Sequence, residues 1–487
     1  MNKPLRRIAI FCGLLVLALL VRTNWLQYVA ADSLNTHDRN RRVQIERYAH
    51  ERGNIIVDGK PITGSVETDD TDFTYKRTYV NGPMWAPVTG YASQAFDANQ
   101  IEKLEDGILS GNSDQLFFDR TMAMFTGDEK RGGNVVTTLS GAAQKAAYEG
   151  LGDKKGAVAA IDPQTGKILA LASTPSYDPS SFAGYGNEDA KAWQALEEDP
   201  DKPKLNRALR EIYPPGSTFK VVTAAAAIEE GLVDDINAPT DTPDPYILPN
   251  TRTEMVNHAR GCENATLNRA MEVSCNSVFA KLGDEVTRDK MVEYAEKFGF
   301  NNPKVDTPVR AAASVYDKKM DRPGNAQSAI GQFNTATTPL QMAMVTAAIA
   351  NDGKLMQPYM IDKLEAPNLD VIKKNEPQEM SRPISAKTAQ LVQEMMENVV
   401  TKGTGGNAAI DGVTVGGKTG TAQHGVGNKK RPYAWFISYA KTDSGSPVAV
   451  AVVVEDSQGT ARDDISGGGL AAPIAKAVMQ AVLDGKK

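Results

Sequence analysis

Ser217 and Lys220 stand three residues apart in "EIYPPGSTFK", residues 211–220, at the head of the apolar run "VVTAAAAI". Positions i and i+3 share one face of a helix. Pro215 presets the backbone for a helix start, and Gly216 permits a close approach. Ser217 then falls in the first turn, among free N–H groups at the positive helix end. The following residues are apolar on nearly all sides, which implies burial. A lysine there loses hydration and its pKa falls toward neutrality. A neutral lysine beside a serine can take the serine's proton and so create a nucleophile. The same pair also suits a capping serine followed by a lysine whose head reaches water, so it is not diagnostic alone.

Two more stretches carry chemistry-bearing residues. "EVSCNSVF" contains Ser274-Cys275-Asn276, within "TLNRAMEVSCNSVFAKLG", where the serine and asparagine would flank a break between helices. "VGGKTGTA" contains Lys418-Thr419-Gly420-Thr421 on an expected strand. Gly416, Gly417 and Gly420 would let a ligand backbone lie close to it.

The elements that must position these residues follow from pattern and turn chemistry. Val135–Leu139 reads as a strand, and Ser140 can cap a helix through Leu151. "GAVAAIDPQTGKILALAS" gives two strands around the turn Asp162–Gly166. Helices are expected over 217–230, 266–283, 286–298, 338–352 and 386–401. "VTVGGKTGTA", "AWFISYA" and "PVAVAVVVE" read as three successive strands, and "AAPIAKAVMQAVL" as a closing helix. Strands at both ends with helices between suggest one antiparallel sheet covered by helices. Further upstream, "RGNIIVDGKPI" (52–62) alternates as a strand and turns at Asp58-Gly59. Residues 32–50 look like a polar stalk, and the stretch to Gly133 is polar with little periodicity.

The first thirty residues differ from the rest. Lys3, Arg6 and Arg7 precede the apolar run Ile8–Val21. Fourteen apolar residues make about 21 Å of helix, short of the roughly 30 Å hydrocarbon core. A helix continuing through Arg22 to Trp25 and Tyr28 would span, with the aromatics at the interface. "VAA" at 29–31 also fits a cleavage pattern, so an uncleaved anchor and a cleaved signal both remain. One-sided basic charge puts the remaining chain outside the cytoplasm. That setting permits a disulfide between Cys262 and Cys275, while two buried thiols fit equally. The 487 residues carry net charge −6 with a pI near 5.5, so no basic surface points to nucleic acid. The four histidines and three cysteines lack zinc spacing, and no metal is expected.

S-x-x-K, S-x-N and K-T-G in this order are the set of penicillin-binding proteins and serine β-lactamases. The chain resembles the penicillin-interacting serine transpeptidases, in particular class B penicillin-binding proteins of the actinobacterial A type. "GAVAAIDPQTGKILALASTPSYDPS" looks like their first hairpin, "YPPGSTFK" their nucleophile box and "TLNRAMEVSCNSVFAKLG" their second box. "TTPLQMAMVTAAIANDG" and "GGKTGTAQ" continue the match. "RGNIIVDG" resembles the class B signature but lacks the usual Arg after the Asp. Residues 63–133 match least.

The resemblance implies an α/β (α+β) fold of the penicillin-binding transpeptidase type. It has a central antiparallel β-sheet with helices on both faces, a small N-terminal mixed module and a membrane anchor. The expected segments are 1–31 (cytoplasmic basic tail and transmembrane signal anchor), 32–133 (extracytoplasmic dimerisation or pedestal-like module) and 134–487 (transpeptidase domain). It further implies that Ser217 attacks the D-Ala–D-Ala carbonyl of a peptidoglycan stem peptide, with Lys220 as base. Ser274 would relay the proton, Asn276 hold Lys220 and a substrate amide, and Lys418 lend charge. Thr419, Gly420 and Thr421 would bind substrate, with the Ser217 and Thr421 N–H groups as oxyanion hole. The expected partners are stem peptides, β-lactams, the membrane, a glycosyltransferase and division proteins, with no cofactor.

Other readings share the motifs. A class A β-lactamase needs a glutamate for its deacylating water; Glu263 in "ENATLN" precedes the second box instead of following it. A D,D-carboxypeptidase passes the same acyl group to water, and a penicillin sensor or division scaffold would do no chemistry. A bifunctional class A protein needs a glycosyltransferase domain, for which residues 32–133 are too few. His424 reads as a loop residue, and Glu455 and Asp456 as solvated strand-end charges. Met342, Met344 and Val345 read as core. Trp435 suits either core or cleft wall.

Overall fold

The computed structural model describes residues 3–35, 40–116, 121, 125–127, 130–425, 428–456 and 460–485. After the N-terminal module come α1 (Gly141–Leu151), β1 (Lys155–Ile161), β2 (Ile168–Thr174) and α2 (Lys220–Glu229). Next are α3 (Leu267–Val273), α4 (Asn276–Val286), α5 (Pro339–Ala350) and α6 (Ala386–Thr401). The chain closes with β3 (Thr414–Ala422), β4 (Tyr433–Thr442), β5 (Gly445–Asp456) and α7 (Ala472–Gly485). Ser140 caps α1 by accepting from the Ala143 N–H.

The sheet is antiparallel in the order β3-β4-β5-β1-β2, so its centre joins strands from opposite ends of the domain. β5 belongs in the middle because its valines, Val448 to Val454, are apolar on both faces and all buried. Each such valine is worth about 1.5–3 kcal/mol of burial. The period of two divides the sheet between two cores. Ala157, Ala159, Ala451 and Val453 face α2, α5 and α6. Val158, Ala160, Val450 and Val452 face α1 and α7. Helices thus cover both faces, and Met342, Met344 and Val345 of α5 are core residues.

A second sheet runs Val371–Lys374, Ile361–Glu365, Asn134–Thr137, Ile55–Val57, Lys60–Pro61. Ile55–Val57 pairs parallel with Asn134–Thr137, which pairs antiparallel with Ile361–Glu365. The N-terminal module and the chain beyond residue 134 therefore share one sheet, which no local pattern announces. Asp58 (φ 48°) and Gly59 (φ 72°) form the turn read from sequence. The Asp58 carboxylate also accepts from the Gly141 N–H at 2.7 Å, tying that turn to α1.

"RGNIIVDG" has a packing explanation. A Cβ on Gly53 would lie 1.8 Å from the Gly133 carbonyl oxygen. Arg52 enters a buried ion cluster, donating from Nε to Glu102 at 2.9 Å and from Nη1 to Asp106 at 2.6 Å. Arg77 donates to the other Glu102 oxygen at 2.6 Å. The polar stretch 32–50 is only partly a stalk. Residues 36–39 lie outside the described residues, but Arg41–Tyr48 is a helix whose Tyr48 is buried. Arg47 of that helix pairs with Asp97 and Asp106.

At the N-terminus, Lys3–Asn24 is one α-helix that continues in a wider turn to Val29. These 27 residues, whose most apolar 18-residue window has mean hydropathy 2.1, are long and apolar enough to cross a membrane. Glu455 corrects the sequence reading. Burial of Arg207 draws Glu455 into a 3.3 Å ion pair, with Lys155 at 3.8 Å on the same oxygen. Asp456, half exposed, pairs with Arg431 at 3.3 Å.

Candidate active site

The chain approaches Ser217 through Pro214, Pro215 and Gly216, whose φ is +55°. Gly216–Phe219 is a 3-10 turn, and α2 begins at Lys220. Residues i and i+3 eclipse in such a turn, so Ser217 and Lys220 still share a face. Gly216 sits hard on the end of β3, where a Cβ would meet Ala422 at 3.1 Å. Ser217 is half-buried and lines a cleft of about 930 Å³, whereas Lys220 is fully buried beneath it.

The expected break in the second helical stretch falls at Ser274. It ends α3 in the left-handed conformation (φ 65°, ψ 45°), and α4 starts at Asn276. That reversal aims two oxygens of Ser274 at Lys220. The Lys220 ammonium donates to Ser274 O at 2.8 Å, Ser274 Oγ at 3.2 Å and Asn276 Oδ1 at 2.8 Å. From β3, Lys418 Nζ donates to the same Ser274 Oγ at 2.9 Å and to Thr419 O at 3.0 Å. Ser274 therefore joins two lysines. With both lone pairs engaged, its own proton is free for the cleft.

Burial, and then the Lys418 charge, push the Lys220 pKa well below the usual lysine value. Burial brings Lys418 down to about 7. A neutral Lys220 keeps two N–H bonds, enough for Ser274 O and Asn276 Oδ1, and frees its lone pair to receive a hydroxyl proton. No hydrogen bond joins Ser217 to Lys220; catalytic hydrogen bonds commonly tighten only once substrate is bound.

The structure brings Ser217, Lys220, Ser274, Asn276, Lys418, Thr419 and Thr421 to one cleft. Ser217, Ser274, Asn276, Thr419 and Thr421 line it; the lysines lie below. Gly420 is different. A Cβ there would meet Pro215 O and Thr218 Cγ2, each at 3.0 Å, so its side-chain direction faces the turn that carries Ser217. Its lack of a side chain lets β3 approach Ser217. Trp435 is core, fully buried, with Nε1 donating to Pro214 O at 3.1 Å. His424 is a loop residue stacked on Tyr433 and bonded to Arg431 O.

Sequence reasoning passed over two neighbours. Thr404 lines the cleft and shares a 2.7 Å hydroxyl–hydroxyl bond with Thr419; only its glycine-flanked loop, "KGTGG", could have drawn notice. Asn257 caps α4 from nineteen residues upstream, with no local signal at all. Cys262 and Cys275 form a disulfide with Cα atoms 5.6 Å apart, while Cys12 is free. Closing so short a loop contributes about 3 kcal/mol. Thiol titration of the unfolded, unreduced protein should find one reactive thiol; three would mean that the bond does not form. Among the described residues no group of histidine, cysteine and carboxylate side chains could hold a metal.

A cleft-lining serine one turn before a buried lysine, the lysine bridged through a second serine to a strand lysine beside a five-stranded sheet with helices on both faces, defines a penicillin-interacting serine acyltransferase. Residues 156–480 match the family described as penicillin binding protein transpeptidase domain, and residues 52–135 that of the penicillin binding protein A dimerisation domain. The chain belongs to the penicillin-binding protein transpeptidase family. It is 39% identical to the peptidoglycan D,D-transpeptidase PbpA of Mycolicibacterium smegmatis, covering 99% of each chain. Identity to PbpA of Mycobacterium tuberculosis is 38%, over the full length of both. The penicillin G acyl-enzyme complex of penicillin-binding protein A from M. tuberculosis superposes with a TM-score of 0.83 at 38% identity. That match covers 89% of this chain and all of the other.

Proposed function

We propose that this chain is a membrane-anchored serine D,D-transpeptidase that cross-links peptidoglycan stem peptides through a Ser217 acyl-enzyme. The observation that carries it is the Lys220 amine. It is fully buried, 2.8 Å from Ser274 O and Asn276 Oδ1, and one turn after a serine that opens onto the cleft. Neutral Lys220 takes the Ser217 proton as Oγ attacks the penultimate D-alanine carbonyl. The Ser217 and Thr421 N–H groups bind the oxyanion, each worth roughly 3–4 kcal/mol. Ser274 gives its proton to the departing D-alanine nitrogen, the C–N bond breaks, and Lys220 returns a proton to Ser274. An amine from a second stem peptide then attacks the ester and loses a proton to the Lys220–Ser274 pair; the C–Oγ bond breaks, and Ser217 Oγ takes that proton as it leaves. Thr419 and Thr421 hold the terminal carboxylate, with Lys418 and Asn276 completing the site. These steps balance without a metal or organic cofactor.

The helix Lys3–Val29 supports the anchor, with Lys3, Arg6 and Arg7 on the cytoplasmic side and the cleft outside. Residues 32–133 serve as a pedestal to the transpeptidase portion from 134 onward. A glycosyltransferase and division proteins are the protein partners that fit this role.

The test is product analysis by mass spectrometry with a defined lipid-linked peptidoglycan substrate. Cross-linked dimers support the reading. Loss of D-alanine without dimers makes the protein a carboxypeptidase. Penicillin labelling with neither product makes it a sensor.

The penicilloyl-enzyme should also be long-lived. No described residue lining the cleft is a carboxylate, so the described lining offers no glutamate or aspartate to hold a water as base against the ester. Free enzyme should return over many minutes or longer after excess penicillin is removed. Turnover of many penicillins per second would contradict the transpeptidase reading.

A further inference from the structure

The N-terminus of α4 carries Asn276, yet its own capping position is poorly equipped. Cys275 sits there, makes no side-chain cap, and has its sulfur committed to Cys262. First-turn N–H groups left without acceptors are costly. Here they are met from across the cleft wall. Asn257 Oδ1 accepts from the Asn276 N–H at 2.5 Å and the Ser277 N–H at 3.1 Å. Asn257 Nδ2 donates to Ser277 Oγ at 2.8 Å. The neighbouring Val256 carbonyl accepts from Asn276 Nδ2 at 3.1 Å.

This last bond fixes which way the Asn276 amide faces. The Lys220 ammonium only donates and a carbonyl only accepts, so Oδ1 must turn to Lys220 and Nδ2 to Val256. Residues 256–257, with Cys262 behind them, thus grip α4 at the residues that hold the Lys220 amine. The same segment presents Met255, His258 and Ala259 to the cleft.

We propose that Asn257 is a positioning residue for the acyl-transfer reaction, acting through the backbone of Asn276 and Ser277 to hold the Asn276 amide against Lys220. The inference rests on the reading of Lys220 as base. The groups facing Lys220 are Ser274 and Asn276 from the second motif, Lys418 from β3 and the Phe279 ring of α4 at 5.4 Å. Of these only Lys418 is ionisable. A change at Asn257 therefore reaches Lys220 chiefly through Asn276.

The experiment measures the second-order rate of penicillin acylation against pH, using the detergent-solubilised full chain. Rates are normalised to sites titrated at saturation. In Asn257→Ala the plateau rate should fall roughly 10–100-fold, the cost of misplacing a reacting group, with full labelling at long times. The acidic limb should move to lower pH, because the ammonium loses an acceptor. Asn257→Asp keeps both N–H bonds and should restore the plateau to within a few-fold. Its added negative charge favours the Lys220 ammonium and should move the limb to higher pH. Should Asn257→Ala not fold, the Asn257→Asp limb decides alone. A plateau for Asn257→Ala within 2-fold of wild type per titrated site, or an Asn257→Asp limb at the wild-type pH, overturns the proposal. Failure of the wild type to form an adduct on the Ser217 peptide would instead remove the underlying reading.

Discussion

Ser217→Ala is expected to leave the protein folded and to abolish covalent labelling by penicillin. Among the described residues Ser217 has no side-chain hydrogen-bond partner on which the fold depends, so thermal unfolding should move little. An adduct on any other residue would overturn the nucleophile assignment. Lys220→Ala should be nearly as damaging, at least about 10²–10⁴-fold in acylation rate, the range for loss of a general base. The pair acts as a unit, so the double variant should be little worse than either single one. In the wild type the rate should fall as pH drops through the Lys220 pKa, which burial and then Lys418 hold well below the ordinary lysine value. Lys418→Met removes the second cause and should shift that acidic limb to higher pH. A Lys220→Ala variant acylating near the wild-type rate would eliminate the general-base role.

Glu102→Gln should cost the most stability. Its carboxylate has no exposed surface and bridges Arg52 and Arg77, themselves almost fully buried. Burial alone would raise the Glu102 pKa, but Arg77 and Arg52 outweigh it and the net shift is downward. Removing one partner of a buried ion cluster costs about 3–5 kcal/mol, because the remaining charges stay desolvated. A folded pKa below the unfolded one means that this stabilisation is complete above the unfolded value. It is lost as pH falls through the folded one. The deficit of Glu102→Gln should therefore be constant from pH 6 to 8 in chemical denaturation, and should shrink only in acid. Acylation per folded molecule should remain intact, since none of these residues lines the cleft. A deficit under about 1 kcal/mol would show that the cluster behaves as a surface pair.

Much of the fold is visible in short windows of sequence. β5 reads as a strand because its valines leave no polar face, and α1 starts at Ser140 because a serine before an apolar period is a cap. Turns at Asp58-Gly59 and Asp162–Gly166 follow from residues that tolerate positive φ or preset it. The second sheet was not legible. Its parallel pairing of Ile55–Val57 with Asn134–Thr137, and the addition of Ile361–Glu365, join segments with no shared local signal.

The Ser217–Lys220 pair and the two further motifs are legible in the sequence itself, since residue type and spacing along one turn or strand set which groups can act together. Three matters were decided only by tertiary structure. Gly420 acts as a spacer, because Pro215 and Thr218 pack where its side chain would be. Glu455 is a partly buried ion-pair partner at the strand end, because the buried Arg207 arrives from far away in sequence. Asn257 caps α4 from another segment, because the local residue, Cys275, is bonded elsewhere. Each depends on a neighbour brought close by packing, and the free energy of such a contact is set by burial and geometry that no short window of sequence contains.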